Sequence, residues 1–166
     1  MVLEEYLKKR KFNKTPEPVG AFSQKGEFKF VIQKHQASHL HYDFRLELPE
    51  SSAQKDSDPK ESVGIWVLKS WAVPKEFPQN KGIKRLAVEV EDHPVDYINF
   101  EGEIPAGEYG AGTVEIWDKG NFDLIERNKN LIEVYLYGQK IKGHYVLVRT
   151  KMGGKDKNWL LFKKGE

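Results

Sequence analysis

Leu40-His41-Tyr42-Asp43-Phe44-Arg45-Leu46-Glu47-Leu48 alternates with a period of two: the even positions are apolar and the odd ones polar or charged. That period marks a half-buried β-strand and puts His41, Asp43 and Arg45 on one face. Six residues of continuous strand span about 20 Å, so His35 reaches that face only if the chain turns at Gln36-Ala37-Ser38. Phe28 to His35 reads as the other arm of such a hairpin, with Gln33 pointing the same way as His35. Two imidazoles and a carboxylate suit Mn, Fe or Zn better than Mg or Ca, and the guanidinium beside them suits a phosphate or carboxylate sharing the metal. His35, His41 and Asp43 are the expected metal ligands, with Arg45 as the anion binder. The plainer alternative is a hairpin end whose histidines titrate in solvent. His39 is read as a loop residue.

The rest of the chain follows the same grammar. Its 166 residues fit one domain with a real core. Strands are expected at Gly64–Val73, Arg85–Glu91, Thr113–Trp117, Leu131–Tyr137, Ile141–Thr150 and Trp159–Lys163, with Gly or Asn between most of them. The expected fold is mostly β, a compact single-domain β-barrel with short flanking helical segments. Residues 1–20 read as an N-terminal strap, a short helix followed by an extended Pro-containing run whose lysines form a solvated face. Residues 49–63 read as a flexible surface loop. The glycine-rich stretch Gly102 to Gly112 matches no nucleotide-binding fingerprint and reads as tight turns. In Arg85 to His93, Leu86, Val88 and Val90 alternate with Arg85, Glu89 and Glu91, and His93 continues the polar face. Arg85 and His93 could serve a phosphoryl site there, or the face is a mixed-charge strand edge. His93 is placed at the rim of the site, and His144 is read as a packed or surface histidine.

Composition excludes several classes. No cysteine is present, which removes disulfides, thiolate zinc sites and cysteine nucleophiles and is compatible with a reducing compartment. No apolar run is long enough to cross a bilayer and the first residues lack the order of a signal peptide, so a cytoplasmic protein with no membrane contact is expected. A net charge of +2 does not by itself indicate nucleic acid.

Several ordered blocks resemble the 3′-phosphoesterase domain of DNA ligase D: Phe30 to His35, Leu40 to Leu48, Leu68 to Lys75, Glu91 to Tyr97, Phe100-Glu101-Gly102 and Ile104 to Gly112. The resemblance runs from about Arg10 to Lys163. It implies a β-barrel enzyme that removes 3′-terminal ribonucleosides and 3′-phosphates from DNA ends, leaving a 3′-hydroxyl for end joining. It implies Mn²⁺, with Co²⁺ or Zn²⁺ as other possible metals, and substrates that are primer-templates or duplexes with a 3′-ribonucleotide or 3′-phosphate. By the same resemblance His35, His41 and Asp43 hold the metal, Arg45, Lys75 and Arg85 bind phosphate, and His93 and Tyr97 join Arg45 as catalytic residues. Glu17, Gln33 and Glu91 support the site from behind. Lys11 stands where the family pattern leads one to expect an acid, and the 49–62 loop is longer than usual. The sequence shows no ligase nucleophile motif or polymerase segment, so a stand-alone phosphoesterase working with a separate ligase and polymerase is expected.

Two other classes fit the residues. A two-histidine, one-carboxylate site on a barrel suits a non-haem iron oxygenase. Four Trp and seven Tyr among scattered basic residues suit a non-catalytic nucleic-acid-binding barrel.

Overall fold

The computed structural model describes residues 3–20, 26–50, 65–151 and 154–166. A short helix α1 (Glu4–Lys8) precedes strands β1 (Lys29–Gln36), β2 (Leu40–Pro49), β3 (Trp66–Val73) and β4 (Lys84–His93). A 3-10 turn (Val95–Asn99) leads to β5 (Gly102–Ile104), β6 (Gly112–Asn128), β7 (Leu131–Tyr137), β8 (Lys142–Arg149) and β9 (Asn158–Gly165). Among the described residues the antiparallel order β1-β2-β3-β4-β9-β8-β7-β6 closes through a β1–β6 pairing into an eight-stranded barrel, and β5 pairs with β6 alone. Closure removes the open sheet edges that a nine-stranded sheet would expose.

The lumen is solid. Phe30 and Ile32 of β1, Tyr42, Phe44, Leu46 and Leu48 of β2, and Trp71 of β3 join Ala87, Phe122, Val134, Tyr145 and Trp159 in one buried cluster. The even residues of β2 therefore face inward, as their alternation requires. The odd residues are not solvated: Asp43, Arg45 and Glu47 are each less than a tenth exposed. A second cluster of Tyr6, Leu68, Tyr97, Phe100, Ile104 and Val114 shows why. The N-terminal segment, the 3-10 turn and β5 lie over the outside of the barrel wall and form a roof across the polar face of β1 and β2.

Strand β4 departs from its expected pattern. Ser70 pairs with Val90 and Leu68 with His93, so two steps along β3 match three along β4. The extra residue is a β-bulge, and beyond it the alternation restarts in the opposite sense. Val90, Glu91 and His93 consequently all line the roofed cavity, while Glu89 accepts a hydrogen bond from Trp159 Nε1 at 3.0 Å. The expected apolar face is overturned, since Leu86 is exposed and Ala87 buried. His93, expected at the rim, is only 3% exposed.

Other boundaries shift less. Strand β6 runs 17 residues where five were expected, because its two halves pair with β1 and β7 in turn. Strand β2 continues through Pro49, and the rest of the expected surface loop, with Gly64, falls on residues 51–64, outside the described residues. Asp118 stands apart as a buried structural carboxylate that caps the β7–β8 turn by accepting from the backbone N–H groups of Gln139, Lys140 and Ile141. Among the described residues no helix is long and apolar enough to cross a membrane.

Candidate active site

The β1–β2 hairpin pairs His35 with His41 and Gln33 with Asp43, so both imidazoles and the carboxylate meet on its outer face. Ligand atoms of His35, His41 and Asp43 all lie within 4.8 Å of one another. His35 Nδ1 is 3.3 Å from Asp43 Oδ2, and His41 Nε2 is 3.3 Å from Asp43 Oδ1. Each imidazole spends its other nitrogen on a backbone carbonyl: His35 Nε2 on Gly110 O at 2.7 Å and His41 Nδ1 on His39 O at 3.1 Å. A carbonyl accepts only, so it fixes the N–H on that nitrogen and turns the other lone pair inward. Neutral rings then present three electron-pair donors to one point, which a divalent cation satisfies. Burial alone would raise the Asp43 carboxyl, but Arg45 and the two imidazoles hold it well below the usual carboxylate range. For His41 burial lowers the pKa, yet the Asp43 carboxylate raises it on balance.

Arg45 lies beside the triad and is 4% exposed. Its Nε donates to Gln33 Oε1 at 2.7 Å, one Nη lies 3.5 Å from Asp43 Oδ2, and the guanidinium stacks 4.8 Å from the Tyr97 ring centroid. Gln33 is itself fixed by donating to the carbonyls of Tyr97 and Phe100 at 3.0 and 3.1 Å. Among the described residues the buried Arg45 Nη1 has no hydrogen-bond partner. A guanidinium N–H is rarely left so in a finished interior, and this one belongs to a side chain lining a cavity of about 310 Å³ that the triad also lines.

The opposite wall comes from the roof. Glu17 accepts from Tyr97 Oη at 2.6 Å, from Arg10 Nε at 3.0 Å and from Thr15 Oγ1 at 2.9 Å. Arg10 Nη2 reaches His93 Nε2 at 3.3 Å, while His93 Nδ1 faces Glu91 O at 2.9 Å. Nδ1 therefore carries the proton and Nε2 accepts from Arg10. Burial first, then the charges of Arg45 and Arg10, push the His93 pKa well below its ordinary value, which keeps the ring neutral. Burial also raises the Tyr97 phenol far above its usual range, with Glu17 adding to the effect and Arg45 opposing it.

Nine of the eleven site residues expected from the sequence occupy this region: His35, His41, Asp43, Arg45, Glu17, Glu91, His93 and Tyr97 line the cavity, and Gln33 braces Arg45 from behind it. Lys75 and Arg85 are not among the lining residues; Lys75 is exposed after β3, and Arg85 Nε donates to Glu76 O at 3.0 Å. Sequence reasoning missed Arg10, whose side chain is 5% exposed although its lysine neighbours face solvent. It also missed Tyr109 and the Gly110 carbonyl, both carried on the glycine-rich turn.

The DNA ligase D 3′-phosphoesterase domain model matches residues 65–149. A multifunctional non-homologous end joining protein LigD from Pseudomonas aeruginosa is 44% identical over 169 residues, covering 97% of this chain and 18% of that protein. The chain belongs to the DNA ligase D 3′-phosphoesterase family. Its LigD relative from Mycobacterium bovis is 44% identical over 89% of this chain, and that from Mycolicibacterium smegmatis 42% over 95%. The chain spans about a fifth of the length of the LigD relatives it matches. Membership supports a hydrolase acting on phosphoester bonds.

Proposed function

We propose that this protein is a divalent-metal-dependent phosphoesterase that removes 3′-terminal ribonucleosides and 3′-phosphates from DNA ends and leaves a 3′-hydroxyl for joining. The observation that carries the reading is the unpartnered Arg45 Nη1 beside a three-donor triad in one cavity: a cation position and an oxyanion position side by side. His35, His41 and Asp43 would hold Mn²⁺, or Co²⁺ or Zn²⁺ in its place, and when bound the ion supplies Lewis-acid polarisation of a phosphate oxygen and of an attacking water.

The chain's own residues account for the rest. Arg45 Nη1 donates to a non-bridging phosphate oxygen, and its guanidinium offsets charge that grows as the ester bond breaks. Gln33 and Tyr97 hold that guanidinium flat and aimed. Arg10 presents a second cation to the cavity, kept there by Glu17 and by the neutral His93. A general acid works best with a pKa near the operating pH. His93, buried and neutral with Nε2 already accepting from Arg10, fits a role in orienting Arg10 better than that of a proton donor. In the monoester reaction water adds to phosphorus, the bond to the 3′-oxygen breaks, and the products are a 3′-hydroxyl end and inorganic phosphate. Lys75 and Arg85, outside the cavity, suit phosphates farther along the DNA strand. The substrate DNA would be a primer-template or duplex end, and the ligase and polymerase partners are separate polypeptides or separate domains.

The test is a primer-template carrying one 3′-ribonucleotide or a 3′-phosphate, incubated with and without Mn²⁺ and resolved on a gel. Metal-dependent conversion to a 3′-hydroxyl end that a ligase can seal is expected. An unchanged end with metal present refutes the reading.

A further inference from the structure

Tyr109 is 46% exposed although it lines the triad cavity. It sits on the turn after β5, where Glu108 N–H donates to Pro105 O at 3.1 Å and Ala111 N–H to Glu108 O at 3.0 Å. Gly107 and Gly110 carry positive φ of 90° and 75°, a conformation that favours glycine. The next residue, Gly110, accepts from His35, so the turn that presents the Tyr109 ring is tied directly to the metal triad. The ring is steadied by Lys9 Nζ at 4.7 Å and the Arg10 guanidinium at 5.2 Å from its centroid.

Tyr109, Glu91 and Val90 are shared between the triad cavity and a larger open groove of about 740 Å³. A group esterified to a phosphate at Arg45 would leave the cavity past these residues. The groove is unsuited to a phosphate backbone, because six carboxylate side chains line it against four cationic ones. It admits a neutral substituent. Glu91 supplies a second, independent sign of a ligand: its side chain is 3% exposed, and among the described residues Oε2 has no hydrogen-bond donor, with Lys9 and Arg10 no nearer than 3.6 and 3.8 Å. An orphaned buried carboxylate oxygen calls for an O–H or N–H from elsewhere.

Resting on the function proposed above, we infer that Tyr109 and Glu91 form a nucleoside subsite that receives the terminal nucleoside on the far side of the scissile phosphate. The base stacks on Tyr109, and Glu91 Oε2 accepts from a sugar hydroxyl of the same nucleoside. Stacking on an aromatic ring tolerates any base, which suits an enzyme that must act on ends of any sequence. A 3′-phosphate has nothing beyond the phosphorus and leaves the subsite empty.

The experiment compares three ends: a terminal ribonucleoside, the same end lacking its terminal base, and a 3′-phosphate. Tyr109→Ala is expected to slow nucleoside release about 10- to 100-fold more than phosphate release, the range that stacking of one base implies. Tyr109→Phe keeps the stacking ring but loses the hydroxyl that donates to Glu91 Oε1 at 3.4 Å, so it is expected to lose less than Tyr109→Ala on the nucleoside end, while Tyr109→Leu, which keeps apolar bulk for folding, behaves as the alanine variant. On the base-free end Tyr109→Ala and wild type agree within about threefold. A terminal 2′,3′-dideoxynucleoside slows the wild type but slows Glu91→Ala no further. Equal losses on nucleoside and phosphate ends, or full additivity of base removal with Tyr109→Ala, overturn the subsite while wild-type activity stands. A wild-type protein inactive on all three ends overturns the parent reading and this inference with it.

Discussion

Arg45→Lys keeps the charge and removes the geometry. An ammonium cannot donate from the Nε position to Gln33 Oε1 and from Nη1 to a phosphate at once. The loss at the phosphate is that of one preorganised oxyanion donor, about 2.7–4 kcal/mol, or roughly 10²–10³-fold in turnover. The loss at Gln33 is a buried carbonyl oxygen left unpaired, about 1–3 kcal/mol of stability. At roughly 2–4 °C per kcal/mol for a chain of this size, the melting temperature falls by about 2–12 °C. The assay measures kcat/KM for Mn²⁺-dependent phosphate release from a 3′-phosphate primer, with Mn²⁺ affinity measured by calorimetry in parallel. Because Arg45 donates no ligand atom to the triad, Mn²⁺ affinity stays within about threefold of wild type. A lysine variant within threefold of wild-type kcat/KM would show that only net charge matters. One that loses Mn²⁺ in proportion to activity would move Arg45 into the metal site.

Three further outcomes follow from the same geometry. Asp43→Ala is expected to abolish the thermal stabilisation that Mn²⁺ gives the wild type, about 2.7 kcal/mol at a hundredfold excess over Kd, while a barrel-type circular dichroism spectrum persists; retained stabilisation would mean the ion binds elsewhere. Glu17→Ala leaves Arg10 buried without its closest carboxylate and is expected to cost about 3–5 kcal/mol, read as a fall of roughly 10 °C in melting temperature, with Glu17→Gln less severe; a fall under 2 °C argues against the clamp. His93 has a folded-state pKa depressed below the unfolded value of about 6.5, so the unfolded chain takes the proton first and the wild type loses stability as pH drops through 6.5 toward the folded pKa. The stability gap between wild type and His93→Gln should therefore narrow from pH 7 to pH 5, and a constant gap would contradict a buried neutral ring.

What could be read from the residues divides along physical lines. The β1–β2 hairpin and its triad were legible because strand alternation and a turn at Gln36 to Ser38 are local signals, and β7 was found at its observed bounds for the same reason. Strand β4 was not, since one inserted residue reverses a period-two pattern and nothing local to Val90 or Glu91 announces a bulge. Arg10 was hidden by company: four lysines within four residues of it are solvated, and only the long-range contacts with Glu17 and His93 set it apart. The burial of Arg45 was equally invisible, because the roof over it is assembled from segments 3–20 and 94–104, remote in sequence from β2. The roles of Tyr97 and Glu17 entered through family resemblance, and the structure places their hydroxyl and carboxylate in one 2.6 Å hydrogen bond.

Small barrels often serve as cups, with the reacting groups inside and the wall as container. Here the candidate site is mounted on the outside of the wall, and the interior is packed solid. The aromatic filling can therefore drift or be repacked by volume-conserving swaps without any interior side chain changing its contact with substrate. The roof has less freedom, for Arg10, Glu17, Tyr97 and His93 both close it and hold one another in place. Sequence change in this lineage has a cheap half and an expensive half, separated by the thickness of one β-sheet.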